Sequence, residues 1–222
     1  MTVAEALHRR RSVRAFLDRP VDRPLLEQVL ADAARAPSGG NLQPWHVTFV
    51  SGAAMAELKA LMARRTAEDP RGEPMEYAIY PTGLVPPYET RRQAIGEAMY
   101  ARIGIPREDR ESRRKWFAQN FQFFGAPVGM FCHVDRMMGP PQWSDLGMFL
   151  QSFMLRAVEA GLATCPQECW AMYSATMRRF LALPDNQMLF CGMAIGYPDD
   201  SAAVNGLVSP RAELSEYARF MN

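Results

Sequence analysis

Helices and strands that follow one another in no strict alternation predict an α+β layer fold for this chain. Three observations carry that expectation. Apolar residues recur at helical spacing at Leu25, Leu26, Val29, Leu30, Ala33 and Ala34, and again at Phe149, Leu150, Phe153, Met154, Ala157 and Val158. Strand-like segments lie at about 46–50, 126–134 and 187–197, far apart and unevenly spaced. The even strand–helix–strand rhythm of a doubly wound sheet is missing.

Each element has a local cause. Thr2 and Glu5 stand at capping-box spacing, which predicts a short helix over about 2–10. Asp22 opens the next helix with Pro24 in its first turn, where a missing N–H costs nothing. Pro37-Ser38-Gly39-Gly40 stops it. Residues 46–50 read as a strand and 53–66 as a helix. Pro70, Pro74, Pro81, Pro86 and Pro87 break any regular element over about 67–92, a stretch that also carries Tyr77, Tyr80 and Tyr88. A charged helix is expected at about 107–119. The clearest helix runs over about 144–160, capped by Ser144 or Asp145 and ended by Gly161. A further helix at about 171–182 stops before Pro184, and a short amphipathic tail covers about 212–220.

Composition narrows the function. The chain has 222 residues, 25 basic and 24 acidic side chains, and 48% apolar residues. That length buries roughly 70% of the unfolded surface without disulfide staples. A net charge of +1 speaks against a nucleic-acid partner and against adhesion to acidic membranes. No apolar run reaches the ~18 residues of a membrane span, and no secretory h-region follows the N-terminus. The expectation is one soluble, cytoplasmic domain over residues 1–222. Cys132, Cys165, Cys169 and Cys191 lack zinc-ligand spacing and read as small core residues, with no metal site expected. Neither GxGxxG, a Walker loop nor GxSxG is present.

Three segments carry the chemistry. Arg9-Arg10-Arg11-Ser12-Val13-Arg14 reads either as a solvated basic helix end or as a set of fork donors and a hydroxyl suited to a phosphate, with Arg211 able to join from far along the chain. Ala36-Pro37-Ser38-Gly39-Gly40-Asn41-Leu42-Gln43-Pro44-Trp45 is either a helix stop or a close backbone approach to a heteroaromatic edge. Gly161-Leu162-Ala163-Thr164-Cys165-Pro166-Gln167-Glu168 reads as a turn that presents backbone amides.

Together with Gln142-Trp143-Ser144-Asp145-Leu146-Gly147 and Asn205-Gly206-Leu207-Val208-Ser209-Pro210-Arg211, in this order and spacing, these segments resemble the nitroreductase family of flavin mononucleotide (FMN) enzymes over essentially the whole chain. The resemblance implies a sandwich in which a mostly antiparallel sheet is flanked by helices, and an interlocked homodimer with two flavin sites at the interface. It places Arg10, Ser12 and Arg211 on the phosphate with Arg11 beside them, and Arg14 at the pyrimidine end. Pro37, Ser38, Gly39, Asn41 and Gln43 would reach the flavin of the partner chain. Pro166, Gln167 and Glu168 match the turn whose backbone meets flavin N5, and Gln142 is a further contact. One departure stands out: Ser209 replaces the first of two basic residues that many members carry near the C-terminus.

The resemblance also implies a reaction, with NADH or NADPH as electron donor and a nitroaromatic or quinone acceptor; because no second nucleotide cradle is present, both flat rings must use one flavin face in turn, which predicts ping-pong two-electron transfer. No catalytic side chain is required, because the cofactor carries the chemistry and the protein supplies orientation and charge. Residues 66–125 form the variable substrate side, and the long aromatic insertion resembles the branch that reduces nitrobenzoate-like compounds. Tyr80, Tyr88, Phe123 and Phe124, with Trp116, are the candidate substrate walls; Phe123 and Phe124 read equally well as core residues leading into a strand. A flavin-binding sensor or storage protein with poor turnover stays open, as do flavin destruction and dehalogenation on the same scaffold.

Overall fold

The computed structural model describes residues 1–221. In chain order the elements are α1 (Val3–Arg9), α2 (Arg23–Ala33), β1 (His46–Ser51), α3 (Gly52–Glu68), α4 (Tyr88–Arg102), α5 (Arg110–Ala118), β2 (Val128–Asp135), α6 (Pro140–Glu159), β3 (Ala163–Gln167), α7 (Ser174–Phe180), β4 (Gln187–Gly196) and α8 (Leu214–Tyr217). The strands form one sheet in the order β1-β2-β4-β3, with every neighbouring pair antiparallel. This is the α+β sandwich expected from the sequence. No helix among the described residues is long and apolar enough to cross a membrane.

The sheet is buried on both faces, which explains the near-continuous apolar runs of its two central strands. On β2, Val128, Met130, Cys132 and Val134 point to one side, where α2 and α6 cover them with Leu26, Val29, Phe149 and Phe153. Phe131 points to the other side, against Met55, Leu58 and Met62 of α3 and against Trp170 and Tyr173. Two strand glycines make room for rings on that second side. A Cβ on Gly129 would overlap the Phe123 ring, and one on Gly192 would overlap Trp170.

Three expectations need correction. First, α4 occupies Tyr88–Arg102, partly within a stretch read as irregular. It buries no residue, so its sequence carries no apolar period to reveal it. Second, α6 begins at Pro140, not at Ser144 or Asp145. Gly139 is its N-cap, Pro140 occupies the first turn, and Gln142 accepts the Gly139 N–H at 3.2 Å. Third, residues 163–167 are not a turn but edge strand β3, paired in register with β4 from Ala163↔Gly196 to Gln167↔Gly192. Pro166 is tolerated there because an edge strand leaves one side without ladder partners.

Candidate functional site

The basic segment is laid along the outer edge of β3. After α1 ends, Ser12 forms a parallel bridge with Thr164, and the Val13 N–H donates to the Thr164 carbonyl at 3.0 Å. Val13 is buried, so the flanking Arg10, Ser12 and Arg14 are turned the other way. Arg10 is half-buried. Burial pushes its guanidinium down from the ordinary value, and neighbouring Arg211 pushes it further. Two cations thus stand side by side, and neither forms an ion pair with a carboxylate among the described residues. Arg211 is oriented by the residue that departs from the family pattern: its Nη1 donates to Ser209 Oγ at 2.7 Å and to the Ser209 carbonyl at 3.0 Å.

Arg14 is fixed through its backbone. Its N–H donates to Asn205 Oδ1 at 2.8 Å, and its Nη1 reaches the Ser12 carbonyl at 3.3 Å. Beside it opens a cavity of about 650 Å³, walled by Phe16, Trp116 and Phe124 and reached by Arg102. Trp116 and Phe124 lie 5.7 Å apart, ring centroid to ring centroid. Phe124 comes from the turn Gln119–Gly125, in which Phe123 and Phe124 both adopt left-handed backbone angles, φ 51° and 52°. The two buried rings meet different neighbours. Phe124 faces the cavity, whereas Phe123 is fully buried against Phe131 and Trp170. Phe123 is therefore a core residue, which corrects its candidacy as a substrate wall. Tyr80 and Tyr88 are exposed and lie outside the cavity lining; Tyr80 carries the Arg92 guanidinium 4.1 Å from its ring.

The second segment forms the short turn Gly39–Asn41. Gly40, Asn41 and Gln43 all have left-handed φ, at 57°, 58° and 49°. The Gly39 N–H points at both carboxylate oxygens of buried Asp145, each at 3.3 Å, and the Gln43 N–H donates to Ser38 Oγ at 3.0 Å. Pro37, Gly39, Asn41 and Gln43 are left facing outward, with Ser38 half-buried.

The remaining candidates are held by other work. Arg11 turns away to Asp200 at 2.9 Å. The Gln142 side chain is engaged in capping α6. Gln167 is buried, with Nε2 donating to the Asn120 carbonyl at 2.7 Å and Oε1 accepting from Trp170 Nε1 at 3.3 Å. Pro166 and Glu168, at the end of β3, are exposed. Asn205 and Asp145 are the positioning residues whose roles sequence reasoning missed. Both stood in quoted motifs, but their partners are distant in the chain, and no local signal marks them.

These residues fit FMN. Two guanidiniums that meet no carboxylate among the described residues suit a phosphate, and the Thr164 hydroxyl beside Ser12 is buried with no hydrogen-bond partner among them. A sequence model described as the Nitroreductase family matches residues 7–197. The 4-nitrobenzoate reductase of Pseudomonas putida is 38% identical over 212 residues, covering 96% of this chain and 92% of that protein. The nitrobenzene nitroreductase of Ectopseudomonas oleovorans is 35% identical over 220 residues, or 99% and 97% of the two chains. Among solved structures, the FMN and NADPH-dependent nitroreductase NfnB from Sphigopyxis sp. strain HMH matches with a TM-score of 0.97 and 53% identity over 100% of both chains. The FMN-dependent nitroreductase NfnB from Mycobacterium smegmatis, solved in complex with NADPH, matches with a TM-score of 0.93 and 35% identity over 99% and 98%. With a basic segment laid along the edge of β3, an aromatic cavity beside Arg14 and full-length likeness to these proteins, the chain belongs to the nitroreductase family.

Proposed function

We propose that this protein is an FMN-dependent oxidoreductase that takes electrons from NADPH and passes them to nitroaromatic acceptors. The observation that carries the reading is the half-buried Arg10 beside Arg211, two cations with no carboxylate partner among the described residues, in the segment whose Arg14 lines an aromatic cavity. Bound FMN supplies the two-electron carrier between donor and acceptor. Arg10, Ser12 and Arg211 hold its phosphate. Arg14, its backbone locked by Asn205, places a fixed positive charge where the pyrimidine end is expected, and a preorganised charge stabilises negative charge that develops beside it. Phe16, Trp116 and Phe124 exclude water and accept a flat ring. No acid or base side chain is assigned.

The same reading makes the molecule a homodimer. The Gly39–Asn41 turn is rigidly held by Asp145 yet exposed, as expected of a segment that completes a partner's site. Leu42, Leu214, Tyr217 and Phe220 are exposed apolar residues on this turn and on the C-terminal tail. Donor and acceptor rings use the one aromatic cavity in turn, which makes the kinetics ping-pong.

Anaerobic addition of NADPH to the purified yellow protein, followed by nitrobenzene, tests the reading. Bleaching by NADPH and recovery of colour with the nitroaromatic are expected. A protein that binds FMN but is not bleached is a flavin carrier and not a reductase.

A further inference from the structure

The cavity beside Arg14 has a charge pattern that a neutral aromatic would not require. Its charged lining residues are Arg14, Arg102 and Lys115, all cations, and no carboxylate among the described residues lines it. The three are not equivalent. Lys115 is occupied by Glu111 at 2.6 Å. Arg14 belongs to the flavin cradle, with Nη1 directed to the Ser12 carbonyl. Arg102 closes the last turn of α4 and enters no ion pair among the described residues. It lies over Gly206: a Cβ built there would be 2.7 Å from Arg102 Nη1. The missing side chain at Gly206 thus makes the space in which this guanidinium reaches the cavity. Trp116 and Phe124 supply the apolar wall.

A free guanidinium fork at the edge of an aromatic cavity matches a ligand with a flat ring and a planar anion. We infer that this cavity selects nitroaromatics that carry a carboxylate, with the ring against Trp116 and Phe124 and the carboxylate on Arg102, which makes Arg102 the specificity-determining residue. The inference rests on the nitroaromatic reading of the site.

The test is equilibrium binding to the FMN-loaded protein without NADPH, using calorimetric titration of 4-nitrobenzoate and of its neutral near-isostere 4-nitrobenzamide. The carboxylate should bind about tenfold tighter, as charge-assisted pairing predicts. Arg102→Met should abolish the preference. Gly206→Ala, which pushes the guanidinium aside without changing the charge, should reduce it. Equal binding by the unaltered protein, or a preference that survives Arg102→Met, overturns the inference. A parallel titration with NADP⁺ guards against the other anion: if Arg102→Met weakens NADP⁺ and leaves the carboxylate preference intact, Arg102 serves the donor's phosphate and the inference falls. Turnover with NADPH is read separately. A carboxylate preference without reduction of either compound would sink the reductase reading while leaving this one standing.

Discussion

Asn205 holds Arg14 across 191 positions of sequence, with Oδ1 accepting the Arg14 N–H at 2.8 Å. Its Nδ2 donates to the carbonyls of Ala15 and Asp199, each also at 2.8 Å. One buried amide therefore joins the basic segment to the loop after β4, with its acceptor and both donors used. Asn205→Leu would leave the half-buried Arg14 N–H without its partner, while the Ala15 and Asp199 carbonyls keep the N–H groups of Asp199 and Ala202. The expected loss is about 1–3 kcal/mol of unfolding free energy, read from urea denaturation, together with weaker FMN binding. Asn205→Asp keeps the acceptor and should lose less.

Arg10→Ala should weaken FMN binding by about 1.5 kcal/mol or more, the low end for a charge-assisted hydrogen bond. Fluorescence titration of FMN into the apoprotein measures it. Ser209→Ala should weaken FMN through Arg211, whose guanidinium it orients at 2.7 Å. Unchanged affinity in both variants would remove the phosphate from this edge of β3.

Glu73 sets an acid limit on stability. Burial pushes its carboxyl up, but the Thr176 hydroxyl and N–H and the Arg65 guanidinium outweigh burial and hold it below the ordinary 4.5. A carboxyl depressed in the folded state binds protons more readily when unfolded. Its contribution is therefore complete above the unfolded value and disappears as pH falls through the folded one. The stability gap between wild type and Glu73→Gln should be largest near neutrality and narrow progressively as pH falls below the ordinary 4.5. Urea midpoints measured across that range check the sign, and a gap independent of pH contradicts it.

Flavin binding and assembly should be linked, because a ligand that contacts both chains stabilises the dimer. Removing FMN should shift light scattering towards monomer at low protein concentration, and Asp145→Ala, which frees the Gly39–Asn41 turn, should do the same. A monomer that keeps its flavin on dilution would refute the shared site.

Initial rates at several fixed nitroaromatic concentrations should give parallel double-reciprocal lines against NADPH. Intersecting lines would mean that both rings are bound together and that one cavity does not serve them in turn.

What the sequence revealed follows from where burial writes a period. β2, β4 and α6 were legible because each packs apolar side chains on a regular face. β3 was not, since it is five residues long and carries Pro166. The proposed cradle stands in the sequence as charge, in Arg10, Arg14 and Arg211. Its supports do not: Asn205 and Asp145 act on backbone groups 191 and 106 positions away. Phe123 and Phe124 are adjacent and chemically identical, and only the different neighbours their rings meet assign one to the core and the other to the cavity.

α4 and α5 bury no residue, yet they carry Arg102 and Trp116 to the mouth of the cavity. Arg102 is exposed, and substitutions at such positions usually change stability by no more than about 0.5 kcal/mol. The segment proposed to cradle the flavin, by contrast, is tied to the sheet through Val13, Thr164 and Asn205, all buried. Substrate preference can thus drift by single substitutions in a tolerant layer while the redox machinery stays under packing constraint. Among descendants of one ancestor, acceptor range should diverge faster than cofactor use.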